Sequence, residues 1–300
     1  MRRRVRRLQG FAFTAPALVL MTVFLVAPML FTIRLSLDTG RGFQLREFIG
    51  LDNFVRLLTR DRLFLDLSDF PPSVAVFNNL LWIFLYVGLC VGLGLLIAVL
   101  ADRVRYESIV KSIVFLPQAI SATAVGVIWL LIYAPNARVG LLNAGLGAVG
   151  VDPVSWIGSR DTVNYAIIVA AVWAGTGLAV VVFSAAIKSI PTDIIEAARV
   201  DGAGPFQTFR HITLPLISLP VSVITITLII GVIKVFDIVY IMSRGGPNGA
   251  SRVIAYSFFE ETFQAGKVGY GAAVAVLMVL LIVPIVALNI RRFRAGETVR

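Results

Sequence analysis

With 58% apolar and only 15% charged residues over 300 positions, the chain is too apolar for a soluble domain, which carries nearer ~45–50%. Its net charge of +10 comes from arginines and lysines that flank apolar runs, which speaks for orientation in a membrane and against nucleic acid as a partner. The single cysteine, Cys90, excludes a disulfide within the chain, and no metal-ligand spacing surrounds it or the single histidine, His211.

Residues 1–10 form a basic N-terminal segment, and residues 11–35 read as the first transmembrane helix. The run is too long for the apolar region of a secretory signal and no small-x-small cleavage site follows it. About 20 apolar residues match the ~30 Å hydrocarbon core of a bilayer. Residues 36–73 form an extracytoplasmic amphipathic segment, with a helix predicted over 45–67. There Phe48, Leu51, Phe54, Val55 and Leu58 recur at helical spacing, and Pro71-Pro72 ends the segment.

Residues 74–291 form the core of the fold. Span 2 covers 74–101, where Gly88-x-x-x-Gly92 and Gly94 offer close approach to another helix. Span 3 covers 112–133 with Pro117 inside it, tolerated where neighbours satisfy the freed carbonyl. Span 4 covers 165–187, and Trp156 before it is an interfacial anchor. A polar loop at 188–215 follows, then span 5 over 216–242, a glycine-rich turn at 245–249 and span 6 over 271–290. Residues 292–300 close the chain. The predicted class is therefore an all-α membrane protein with six transmembrane helices. The N-terminus, the 102–111 loop, the 188–215 loop and the C-terminus carry 5, 3, 3 and 4 Lys and Arg over short segments. The three alternate segments, much longer, carry 5, 2 and 3. That density predicts both termini, and the 188–215 loop, on the cytoplasmic side.

The 188–215 loop is the longest polar interruption in the second half of the chain. It reads as a short surface helix, a bend at Gly202 and a second helical piece, with Pro215 in the first turn of span 5. Glu196, Arg199 and Asp201 are expected to face water. Glu196-Ala197-Ala198, Gly202 and Ile212-x-Leu214-Pro215 resemble, position for position, the EAA loop of permease subunits in binding-protein-dependent ABC importers. Arg199-Val200-Asp201-Gly202-Ala203 resembles the carbohydrate branch, the maltose-transporter type. Leu116-Pro117, Gly126, Trp129, Gly140 and Asn143 resemble its third-span pattern, and Gly245-Gly246-Pro247 the turn before its last span.

The resemblance implies a type I importer fold and a loop in which Glu196, Ala197, Ala198, Asp201, Gly202, Ile212, Leu214 and Pro215 couple the spans to a cytoplasmic ATPase. It also implies a second homologous permease, an ATPase dimer holding ATP and Mg, an extracytoplasmic sugar-binding protein, and a bacterial or archaeal inner membrane. The cargo implied is a sugar or oligosaccharide, of α-glucoside or disaccharide type. A permease for glycerol 3-phosphate or a similar small polar solute is the alternative, and a secondary carrier the more distant one.

The residues themselves carry no phosphate-binding loop, no His-Glu-x-x-His and no Gly-x-Ser-x-Gly, so the chain is read as a pathway without catalytic residues or a cofactor of its own. A sugar path is expected among the middle spans. Trp173 offers a flat face, Gly175 and Gly177 admit bulk, and Thr176, Thr225 and Thr227 offer hydroxyls, unless the threonines bond their own helix and the glycines pack helices. Lys234 and Asp237, three apart in span 5, are expected to pair on one helix face, either as a structural pair or facing the path.

Overall fold

The computed structural model describes residues 13–40, 42–66, 74–102 and 104–297, with side chains as far as 291. The basic stretch at 2–7, Pro71-Pro72 and the side chains of Arg292 and Arg294 lie outside the described residues. Apart from an isolated bridge between Asp38 and Phe48, the described backbone is helical or irregular. Among the described residues four helices are long and apolar enough to cross a membrane: α1 (Phe13–Ser36), α3 (Ala75–Ala101), α7 (Val163–Lys188) and the apolar part of α13 (Val268–Glu297). Two bent pairs bring the number to six if each counts as one span. They are α4 (Glu107–Ala119) with α5 (Ala122–Ile132), and α9 (Pro205–Leu216) with α10 (Ser218–Ile233). Shorter helices are α2 (Asp52–Thr59), α6 (Leu141–Ala148), α8 (Thr192–Val200), α11 (Asp237–Met242) and α12 (Ile254–Phe259).

The chain forms two compact units. One comprises residues 1–61 and 257–279. In it Asp38 is buried beyond the end of α1, and its Oδ1 accepts the N–H groups of Gly40, Arg46 and Glu47 at 3.1, 2.8 and 3.2 Å. These bonds, and the Arg34 guanidinium at 3.4 Å, hold the carboxyl below its ordinary value, the Arg46 amide contributing most. Asn53 of α2 donates to the carbonyls of Ser36 and Asp38, at 2.9 and 3.0 Å. The Tyr270 hydroxyl donates to Asp61 at 2.6 Å, with the Arg56 guanidinium over its ring. The predicted 45–67 helix is thus reduced to α2. Its buried residues are Asn53 and Leu57, while Phe48, Leu51, Val55 and Leu58 stay exposed. Asn53 turns inward because two backbone carbonyls there need a donor.

The other unit comprises residues 62–256 and 280–300. Its core is α3 packed along α7, with Trp82, Cys90, Ala98, Ile167, Ala179 and Phe183 essentially inaccessible. The backbones come close at Gly94, where an added Cβ would lie 2.6 Å from that of Ala179. Gly88 and Gly92, the pair at small-x-x-x-small spacing, face open space instead. Spacing names a face of a helix but not which neighbour it meets.

Spans 3 and 5 depart from their predictions. α4 and α5 meet at 102° instead of running on. Pro117 cannot donate, the helix tightens into a 3₁₀ turn at Leu116–Ala119, Ile120 is extended, and Ser121 caps α5 by accepting the Ala124 N–H. α9 and α10 meet at 72°, with the break at Ile217. α10 then stops at Ile233, so span 5 does not continue to residue 242 as one helix.

Candidate functional site

α8 is a short helix with a complete C-terminal cap. The Ala203 N–H reaches the Ala198 carbonyl at 2.9 Å and the Gly202 N–H the Arg199 carbonyl at 3.1 Å, with Gly202 at φ +82°. This is a Schellman motif, and its positive φ is where glycine is favoured. Ala198 is the buried residue of α8; Glu196, Ala197, Arg199 and Asp201 are exposed, and so are Ile194, Val200 and, in α9, Phe206. Water-facing Glu196, Arg199 and Asp201 match expectation. Val200, 88% exposed, shows that the apolar side chains of this loop also point outward.

The 205–208 piece begins with Pro205, and the Gln207 side chain accepts the Gly204 N–H at 3.0 Å. His211 faces its own helix, with Nδ1 3.1 Å from the Gln207 carbonyl. Ile212 and Leu214 are half-buried and Thr213 is buried. Pro215 was expected in the first turn of span 5. It lies instead in the last turn of α9, and α10 begins three residues later. Behind α8 lies a cleft of about 890 Å³ lined by Asp102, Lys188, Glu196, Arg199, Phe209 and Thr213 among others.

A second cavity of about 250 Å³ lies where the helices break. Trp82 and Tyr86 of α3, Gln118 and Ile120 at the α4–α5 bend, Gly175 of α7 and Val235 after α10 line it. Of the residues expected along the path, the structure brings only Gly175 into this cavity. An added Cβ there would lie 2.4 Å from the Tyr86 hydroxyl oxygen. Trp173 packs edge-on against Trp129 at 5.9 Å. Thr176 is buried and donates to the Val172 carbonyl at 2.6 Å. Gly177 allows α4 to pass, since a Cβ there would meet the backbone of Phe115 at 2.7 Å. Thr225 and Thr227 donate to the carbonyls of Val221 and Val223, at 2.7 and 2.9 Å.

The Lys234–Asp237 pair does not form. Lys234 caps the end of α10, Phe236 has φ −140°, and Asp237 opens α11, so the three-residue helical spacing that pairing needs is absent. Trp82, Tyr86 and Gln118 were not anticipated. Their only sequence signals are two aromatics one helical turn apart and a lone amide after Pro117.

The cavity wall is held by a buried amide network. The Trp82 indole donates to Asn164 at 2.8 Å, and the Asn164 amide donates to Asn78 at 2.9 Å. The Asn78 amide donates to the Arg252 carbonyl at 2.8 Å. Asn79 donates to the Val232 carbonyl at 2.9 Å and accepts the Ile254 N–H at 2.8 Å. The break after α10 and the start of α12 are thereby tied to α3.

Residues 90–292 match the family described as binding-protein-dependent transport system inner membrane component. The osmoprotective compounds uptake permease protein GgtC of Synechocystis sp. is 44% identical over 96% of this chain and 100% of its own length. The alpha-glucoside transport system permease protein AglF of Rhizobium meliloti is 39% identical over 95% of this chain and 82% of its own. A chain from the crystal structure of a bacterial ABC transporter importing the acidic polysaccharide alginate shares the fold. Its TM-score is 0.78 at 23% identity, covering 97% of this chain and 96% of that one.

Proposed function

The chain belongs to the family of binding-protein-dependent transport system inner membrane components, and from that membership we propose that it is the permease subunit of an ATP-driven importer for a sugar or oligosaccharide of α-glucoside type. It is a transport subunit and not an enzyme. In this reading it shares the path with a second permease, receives cargo from an extracytoplasmic binding protein, and couples through 188–215 to a cytoplasmic ATPase dimer that holds the ATP and Mg. Both termini lie in the cytoplasm of a bacterial or archaeal cell.

The observation that carries the coupling role is α8. Glu196, Ala197 and Val200 project from a helix whose own carbonyls are capped, so the backbone is satisfied while the side chains remain open to a partner. Glu196 offers charge, Ile194, Val200 and Phe206 offer apolar area, and Gly202 keeps the bend.

The observation that favours a sugar path is the 250 Å³ cavity. Trp82 and Tyr86 line it with aromatic rings, a side-chain type that suits the apolar side of a pyranose, and the Gln118 amide supplies a donor and an acceptor for hydroxyls. The Trp82 indole N–H is already committed to Asn164, so the ring contributes surface alone. Trp173, Thr176, Gly177, Thr225 and Thr227 then serve the helices, and Gly175 makes room beside Tyr86.

The test is to purify the chain from its native membrane and reconstitute what accompanies it. An ATPase and a second permease are expected to co-purify, and ATP inside vesicles is expected to drive uptake of a glycoside bound by the cognate binding protein. The ligand screen includes small osmoprotectants, since one relative is named for them. Ion-driven uptake by the chain alone would overturn the proposal.

A further inference from the structure

Glu107, at the start of α4, gathers charged and polar groups from its own helix and from α7. Lys188, the last residue of α7, donates to it at 2.6 Å, and Ser184 of α7 at 3.4 Å. Lys111 bonds it from one turn along α4, and Asp102 beyond α3 lies 3.9 Å from Lys188. The Glu107 side chain is 19% exposed. At this burial, a carboxylate with two ammonium partners in contact is held more firmly than an exposed surface pair.

The location of this cluster gives it a further role. Residues 189–191 are all that separate Lys188 from α8. From Glu107, α4 runs roughly 20 Å at ~1.5 Å per residue to its 3₁₀ end, where Gln118 lines the 250 Å³ cavity. Along the way α4 is pressed against α7 at Gly177, where no Cβ fits.

We propose that Glu107 and Lys188 form a latch that makes α4 move with the root of α8, so that displacement of α8 reaches the Gln118 wall of the cavity. Both are positioning residues: neither touches cargo or nucleotide. The 102° bend after α4 allows this, because a rod ending at Ile120 can tilt without dragging α5 as a continuous helix would. The proposal rests on the importer reading above.

The test uses the whole reconstituted complex with its binding protein. Lys188→Met and Glu107→Gln are expected to lower uptake per ATP hydrolysed about tenfold, within the usual range of allosteric coupling, at undiminished complex yield. Lys188→Arg keeps the ion pair and is expected to restore coupling. A reporter cysteine, Ala119→Cys in a Cys90→Ala background, follows the wall directly. Its rate of reaction with a thiol reagent is expected to change on ATP binding with Lys188 present and to stay fixed in Lys188→Met.

Normal uptake per ATP with nucleotide-dependent labelling in Lys188→Met would overturn the latch. So would a loss of yield with normal coupling in the surviving complexes, which marks a merely structural ion pair. A wild-type complex without ATP-driven uptake or nucleotide-dependent labelling would overturn the importer reading, and the latch with it.

Discussion

The amide network around Asn78 and Asn79 and the loop around α8 are both polar islands in an apolar chain, and they are built on opposite plans. In the network every amide is turned inward and bonded to backbone or to another side chain. In α8 the backbone is closed by its cap and the side chains are turned outward. Buried polar groups without partners cost free energy, so the first plan fixes one arrangement of helices. The second spends its polarity on a surface, where a change alters what binds and barely alters what folds.

The largest effect is expected from Asn79→Leu. It leaves the Ile254 N–H without its partner, at about 1–3 kcal/mol, and takes from the Val232 carbonyl one donor, the Val235 N–H remaining. Yield and thermal stability of the purified protein in detergent are expected to fall sharply. If they hold, the network is not what ties the break after α10 to α3.

Glu196→Lys tests the other plan. As an exposed change it is expected to shift stability by less than ~0.5 kcal/mol, while abolishing uptake in the reconstituted complex. A drop in melting temperature comparable to that of Asn79→Leu would erase the contrast between the two regions. Gly202→Ala lies between them. Nothing crowds an added Cβ, so only the positive φ is unfavourable, at roughly 1–2 kcal/mol. Reduced uptake with modest loss of stability is the expected result.

Asp38 extends the inward plan to the other unit. Its carboxyl is held below its ordinary value of 3.8 in the folded state. The stabilisation it gives is therefore fully present above the unfolded value and lost as pH falls through the folded one. Protease resistance of residues 36–53 should decline as pH is lowered through the carboxylate range, and Asp38→Asn should flatten that dependence. The smallest effect belongs to Thr227→Val. Its hydroxyl bonds only its own helix, so stability and uptake are both expected to stay within ~0.5 kcal/mol of the parent.

How much of this was legible in the sequence follows the same division. α1, α3, α7 and the apolar part of α13 declare themselves by length and hydropathy. The bend after Gly202 does so because a capped surface helix needs a residue that tolerates positive φ. The breaks at Ile120 and after Ile233 do not. Pro117 is compatible with an intact span, and residues 234–236 contain neither glycine nor proline. The cavity escaped for a related reason. In α3 nearly every residue is apolar, so periodicity assigns no inner face, and Trp82 and Tyr86 look no different from the exposed Phe84 until α7 is packed beside them. Asn78, Asn79 and Asn164 were visible as amides within apolar runs, but their partners are set by tertiary contact alone.

The same network sets a timetable for biogenesis. Asn78 and Asn79 leave the ribosome with α3, yet apart from Asn164, which donates to Asn78, the groups they bond, at Val232, Gly249, Arg252 and Ile254, lie more than half the chain further on. Until those residues are made, two amides in a helix otherwise suited to lipid have no protein partner from the last third of the chain. α3 therefore gains its full set of side-chain bonds only once synthesis has passed residue 254. A chain arrested before that point lacks α12 and α13 and leaves these amides unclosed. That polar defect distinguishes it from the finished subunit.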